Sequence, residues 1–285
     1  MERPLKDFIQ DFAADSEFTK LLGRRDDQVN LTAAALELAR DAYPNLDFQP
    51  VFTWIARRAA ELQGPMAHAA SDEQILAELA QCLAERQGIT GAPDIYEQAD
   101  GSFLNKVIEN KTGIPISLSV LYMAVAEEAG VALKGVGAPG HFLTRYDTFD
   151  TPLFVDAFAG GQVLTYDECA ERLVATQGVD RNHVRRALEP VGPRLIIIRM
   201  LNNLKTLYAR QEDWQPCCRV QYRLLALQPA EYSERRDWAV ISLRAGRAAG
   251  ALEMLEACLK VCPADEREFL EQQKAAAHGK LARWN

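Results

Sequence analysis

Two residues of catalytic type, His141 and Asp156, fall in short runs rich in β-branched and aromatic residues, His141-Phe-Leu-Thr-Arg-Tyr146 and Leu153-Phe-Val-Asp-Ala-Phe158. The turn-forming stretch Asp147-Thr-Phe-Asp-Thr-Pro152 between them predicts a hairpin. If Tyr146 pairs with Thr151, the antiparallel ladder also sets His141 opposite Asp156, with Cβ atoms roughly 4.5–5.5 Å apart. A carboxylate at that distance accepts from one imidazole nitrogen, fixes the tautomer and leaves the other nitrogen facing outward. That is the base and the orienter of a nucleophilic triad. On the residues alone the pair reads first as a contact that stabilises the hairpin, and second as a site of ligand binding or residual catalysis.

The element that must present a nucleophile to such a pair is a helix over 114–129, with Pro115 in its first turn and Gly130 as its stop. Its apolar stripe is Ile114, Leu118, Leu121, Tyr122, Val125 and Ala129. No cysteine lies in this helix. Ser117 is the hydroxyl available to replace a thiol; it needs a base within about 2.6–3.2 Å and donors for an oxyanion. The plainer role for Ser117 is that of a small helix residue that lets strands pack closely.

Gly113-Ile-Pro-Ile-Ser-Leu118, Pro139-Gly-His-Phe-Leu143 and Asp156-Ala-Phe-Ala-Gly-Gly161, in that order, resemble the SirB family of bacterial proteins. The resemblance extends upstream through residues 36–44 and 88–91, and downstream through Arg199-Met-Leu-Asn-Asn-Leu-Lys205. It implies a transglutaminase-like, papain-like core of a helix and an antiparallel sheet, joined to tetratricopeptide-type repeats. Active transglutaminase-like enzymes carry a nucleophilic cysteine at the start of the helix equivalent to 114–129, where the helix N-terminus lowers the thiol pKa. In an ungapped reading Pro115 stands at that place, and the family's Gly-Ile-Pro motif generally lacks the cysteine. Ala157 stands where the family usually has proline, and Gly91-Ala92 where Gly-Asn is common.

Composition sets the frame for these motifs. The chain has 285 residues, 48% hydrophobic and 25% charged, enough for a sizeable core and two or three units. A net charge of −8 argues against a nucleic-acid partner, which needs a concentrated basic face. The longest aliphatic string, Leu195-Ile-Ile-Ile198, is far short of a membrane span, and no membrane association is expected. The opening residues, acidic and without an apolar stretch, predict no secretory signal, so the expected compartment is the cytoplasm. The six cysteines suit it as reduced core residues, and no spacing among them makes a metal site. No cofactor is expected.

An α+β fold in three parts follows: an N-terminal helical region over 1–100, the transglutaminase-like core over 101–190, and helical repeats over 195–285. In the first part helices are predicted over 31–42, 46–63 and 71–87, the last opened by a capping box at Ser71. Thr165-Tyr-Asp-Glu168 is a second capping box, after the strands. Leu225-Ala-Leu-Gln-Pro229 returns as Leu259-Lys-Val-Cys-Pro263 at the tetratricopeptide spacing of about 34 residues. Aligning those prolines directs Arg199, Asn202, Asn203, Thr206 and Arg210 of one inner helix, with Arg236 and Arg244 of the next, toward a concave groove. Arginine and asparagine there suit an acidic or C-terminal peptide, unless the core domain fills the groove.

The favoured reading is therefore a catalytically degenerate, protein- or peptide-binding regulatory module. The alternative is an amide hydrolase or acyl-transfer enzyme in which His141 and Asp156 activate Ser117 or water.

Overall fold

The computed structural model describes residues 5–282. Contacts divide the chain into two units, residues 26–200 in one, and the segment ending at Arg25 together with the chain from Leu201 onward in the other. Sequence boundaries near 100 and 190 thus differ from the contact boundaries. The N-terminal helices α1 (Leu5–Asp11) and α2 (Ser16–Leu22) belong with the repeats.

The unit of residues 26–200 begins with α3 (Leu31–Ala39), α4 (Gln49–Ala67) and α5 (Asp72–Ala80). Short polar side chains start two of them: Asn30 Oδ1 accepts from the Ala33 amide at 2.8 Å, and Ser71 Oγ from the Gln74 amide at 3.3 Å. The predicted helix through Gln87 continues beyond α5 as a π-helical stretch, Gln81–Arg86. After two short 3₁₀ turns, Pro93–Glu97 and Ala99–Ser102, come α6 (Leu104–Asn110) and α7 (Pro115–Glu128). Proline opens α7 because its fixed φ suits the first helical position and no N–H is needed there. Residues 115–122 of α7 are all buried, so this helix is the spine of the unit rather than a half-exposed amphipathic element.

Four antiparallel strands follow as a meander in chain order: β1 (Leu133–Val136), β2 (Leu143–Tyr146), β3 (Leu153–Asp156) and β4 (Gln162–Leu164). α7 packs against β1 and β2. β3 is buried along its whole length. Phe154 joins Leu143, Leu164, Cys169 and Leu173 in a cluster beneath α8 (Tyr166–Gln177). The Thr165 capping box is complete, with Glu168 reaching back to the Thr165 amide at 2.7 Å. α9 (Arg181–Ala187) and the first part of α10 (Pro193–Arg210) end the unit.

The hairpin register differs from the expected one. Tyr146 pairs with Leu153, not Thr151, so the ladder starts two residues later. The turn holds itself open: Thr148 Oγ1 donates to Thr151 O at 2.8 Å and accepts from the Asp150 amide at 3.2 Å. Lys134 and Arg145 each hold the Asp147 carboxylate at 2.7 Å. A shift of two residues leaves every side chain on its intended face, because the strand period is two.

In the other unit, α11 (Trp214–Leu227), α12 (Tyr232–Arg244), α13 (Ala248–Leu259) and α14 (Arg267–Ala282) pack consecutively. Pro229 and Pro263 follow the ends of α11 and α13, as the repeat predicts. Ala251, Leu255 and Cys258 are buried at the contact positions of α13. Arg223 of α11 lies between the rings of Phe12 and Phe18, 4.9 and 4.8 Å from their centroids, and donates to Asp15 at 2.8 Å. Aromatic and ionic contacts thus tie the N-terminal segment to the array.

Candidate functional site in a transglutaminase-like domain

Ala138-Pro-Gly-His141 forms a tight turn between β1 and β2. His141 N donates to Ala138 O at 3.2 Å, and Gly140 has φ +68°. Proline at the second position and a left-handed glycine at the third are what a type II turn requires. Gly140 is also crowded, since a Cβ there would lie 2.4 Å from Gln177 Oε1. His141 is consequently the last residue of a turn and not the first of a strand, which begins at Leu143.

The turn delivers the imidazole to Asp156: His141 Nε2 lies 2.9 Å from Asp156 Oδ1. In the observed register the two residues are not opposite partners, so the contact comes from the turn folding His141 out of the ladder. Asp156, at the end of β3, is held by its own loop, with Oδ1 accepting from the Ala159 amide at 3.1 Å. Arg172 Nη1 of α8 stands 4.0 Å from Oδ2. Burial works to raise the Asp156 carboxyl, but the hydrogen bond and charge of His141, the Ala159 amide and Arg172 outweigh it and hold the pKa below its ordinary value. A neutral imidazole that donates Nε2–H to Asp156 leaves Nδ1 as an acceptor. Nδ1 makes no hydrogen bond to another described residue.

Phe158 supports the imidazole edge-to-face, with centroids 6.2 Å apart, and Tyr96 packs on Phe158 at 5.8 Å. The Phe158 carbonyl accepts from the Gly91 amide at 3.1 Å. Only glycine fits at 91, because a Cβ would come within 2.2 Å of the Phe158 ring. On its other side the pair borders a cavity of about 230 Å³ floored by Leu143, Leu164 and Leu173 and rimmed by Arg172 and Gln177. Cys169 also lines it, but burial pushes that thiol up to about 12, against the opposing pull of Arg172, so it stays protonated.

Ser117 is fully buried, and its hydroxyl is placed to donate to Gly101 O at 2.5 Å or Ile114 O at 3.0 Å. No hydrogen bond joins it to His141. Pro115 is the first residue of α7 and offers neither a nucleophile nor an N–H.

The residues expected to share one groove are dispersed. Arg199 belongs to the unit of residues 26–200, and its guanidinium turns to the His141 turn, donating to Ala138 O at 3.0 Å and His141 O at 2.7 Å. Thr206 and Arg236 do border a cavity of about 630 Å³ in the repeats, along with Lys205, Asp237, Glu266 and Phe269. The Thr206 hydroxyl bonds back to Asn202 O at 2.8 Å within α10. Arg236 is engaged by Glu266 at 2.6 Å and Asp237 at 2.9 Å, so its charge is already neutralised. Arg244 lies over the Trp214 ring at 5.5 Å. Asn202 and Asn203 are half-buried and Arg210 is exposed on α10. Sequence reasoning missed Lys205, which bonds Asp237 at 3.0 Å, although Lys205 closes a motif it had singled out. It also missed Arg172, Gln177 and Phe158, whose roles depend on contacts between elements.

A model of the transglutaminase-like superfamily matches residues 50–202, and a tetratricopeptide-repeat model matches residues 204–276. A UPF0162 protein of Xylella fastidiosa is 33% identical over 241 residues, 84% of this chain and 86% of that protein. Protein SirB1 of Salmonella typhimurium is 21% identical over 77% of this chain and 82% of its own length. F-box only protein 21 of Mus musculus is 37% identical over 126 residues, 41% of this chain and 19% of that protein. No solved structure matches the chain. The superfamily model spans both the helix that opens at Pro115 and the turn that carries His141, and the repeat model spans the helices beyond them: the chain belongs to the transglutaminase-like superfamily, as a SirB-type member joined to tetratricopeptide repeats.

Proposed function

We propose that this chain is a regulatory module that binds protein or peptide and has given up covalent catalysis while keeping the base and its orienter. One observation carries the reading: Pro115 opens α7 where a nucleophile would stand, and Ser117, the hydroxyl nearest in sequence, is turned to backbone carbonyls. Loss of a triad nucleophile removes the covalent route but leaves binding groups in place. In this reading His141 Nδ1 accepts a hydrogen bond from a backbone or side-chain N–H of the bound segment, Arg172 contributes positive charge at the rim, and the leucine floor takes an apolar side chain. The repeats supply a second surface for a protein partner. Buried, unpaired thiols suit the reduced cytoplasm, where this module would act.

The test uses the full chain and a library of immobilised peptides. Peptides retained by the wild type and lost by His141→Ala, with no ammonia or amine released from glutamine-containing peptides, are the expected result. Release of ammonia that disappears in His141→Ala overturns it. Such release would favour a second reading, a hydrolase in which His141 activates water, for which the partly exposed ring and its open Nδ1 speak.

A further inference from the structure

Arg199 is not needed by the binding scheme just described, yet it occupies an unusual position. It stands on α10 with its side chain against the His141 turn, and no carboxylate lies within ion-pair reach among the described residues. Burial lowers its pKa, as expected of a cation drawn away from water. A desolvated guanidinium persists only where other groups compensate it. Here the compensating groups are two carbonyls and a ring: Nη2 donates to His141 O at 2.7 Å and Ala138 O at 3.0 Å, and the guanidinium lies over Phe142, 5.4 Å from the centroid. Gly137 permits the approach, since a Cβ at 137 would stand 3.2 Å from Nη1.

We propose that Arg199 is the positioning residue of His141: one guanidinium nitrogen, bonded to the carbonyls at both ends of the Ala138–His141 turn, sets the angle at which the imidazole meets Asp156. His141 lies outside the β1–β2 ladder, whose register begins at Leu143. Its amide is spent on the turn, and its carbonyl is held from outside the turn by Arg199. The ring sits on that same residue, so rotation of the 141 peptide swings the imidazole away from Oδ1. The two N–H bonds of Nη2 are fixed in the guanidinium plane, so they resist this rotation better than a freely rotating ammonium would. The functional consequence rests on His141 being the working group of the proposed binding site.

The experiment is NMR of the full chain with imidazole nitrogens labelled. In the wild type His141 should show a single Nε2–H tautomer with a slowly exchanging, downfield proton. Arg199→Met keeps the stem over Phe142 but removes the donors; loss of that proton signal and mixing of the tautomers, in a chain whose other amide resonances stay dispersed, support the proposal. An unchanged tautomer and proton in folded Arg199→Met overturn it. If Arg199→Met does not fold, Arg199→Lys takes its place: faster exchange of the Nε2 proton than in the wild type supports the role, and identical exchange overturns it. Peptide retention by His141→Ala is read separately. Failure of the positioning role therefore leaves the binding reading standing, and failure of the binding reading leaves the NMR result standing.

Discussion

At the scale of single residues, the His141–Asp156 contact is a hydrogen bond between a half-buried imidazole and a buried carboxylate. Removing one partner leaves the other short of its bond. His141→Ala and Asp156→Ala should therefore each destabilise by about 1–3 kcal/mol, while the double variant should cost clearly less than the two together. Urea unfolding of the three variants measures this, and additive costs would show that the side chains do not depend on each other. The depressed Asp156 pKa adds a pH dependence. A carboxyl whose folded pKa lies below its unfolded value, about 3.9, contributes stability above the unfolded pKa and loses it as pH falls through the folded one. The stability difference between wild type and Asp156→Asn should thus be full at neutral pH and shrink below about pH 4, as thermal unfolding across that range would record.

At the scale of elements, the turn before β2 matters more than the strand it feeds. Gly140 holds φ +68° beside the Gln177 side chain of α8, so Gly140→Ala strains the backbone and displaces the Gln177 amide. A cost of about 1–2 kcal/mol is expected from the left-handed backbone alone. Because the same turn aims His141, peptide retention should fall in Gly140→Ala by more than in a surface variant of equal stability. Matched melting temperatures with unequal binding would display that link. The Ser71 cap and the Thr165 capping box were readable from sequence because each joins residues three apart, although at Ser71 the Gln74 side chain accepts from the Ala70 amide and the reciprocal half of the box is not made. The hairpin register was not, because it depends on the bonding inside the 147–152 turn, which the residue types alone do not specify.

At the scale of the whole molecule, the repeats alone number too few to make a free-standing array. The segment ending at Arg25 contributes to their unit, fastened by Arg223 between Phe12 and Phe18 and against Asp15. Arg223→Ala leaves a buried aspartate without its cation and should destabilise the repeat unit by about 3–5 kcal/mol. Hydrogen exchange would locate the loss in α2 and α11, and protection unchanged there would refute the fastening role. Of the charges expected to recruit an acidic peptide, Arg236 is instead satisfied within the unit by Asp237 and Glu266, and its neighbour Lys205 is satisfied by Asp237. A peptide lying in that cavity must therefore displace existing ion pairs, and its affinity should rise only weakly with its own negative charge.

The sequence by itself determined what depends on neighbours along the chain. It held the proline start of α7, the caps at Ser71 and Thr165, the repeat spacing and the lack of a cysteine where an enzyme of this kind keeps one. It also named His141 and Asp156, though through a register that the folded hairpin does not adopt. Tertiary structure decided which donors meet which acceptors across elements. Ser117 was withdrawn by Gly101, Arg199 was drawn to the His141 turn, and Cys169 was sealed beside the cavity. A short polar side chain can be read from its own helix end, but a long cation or a buried hydroxyl takes whichever carbonyl the packing leaves nearest, and the packing is settled by residues far away in the chain.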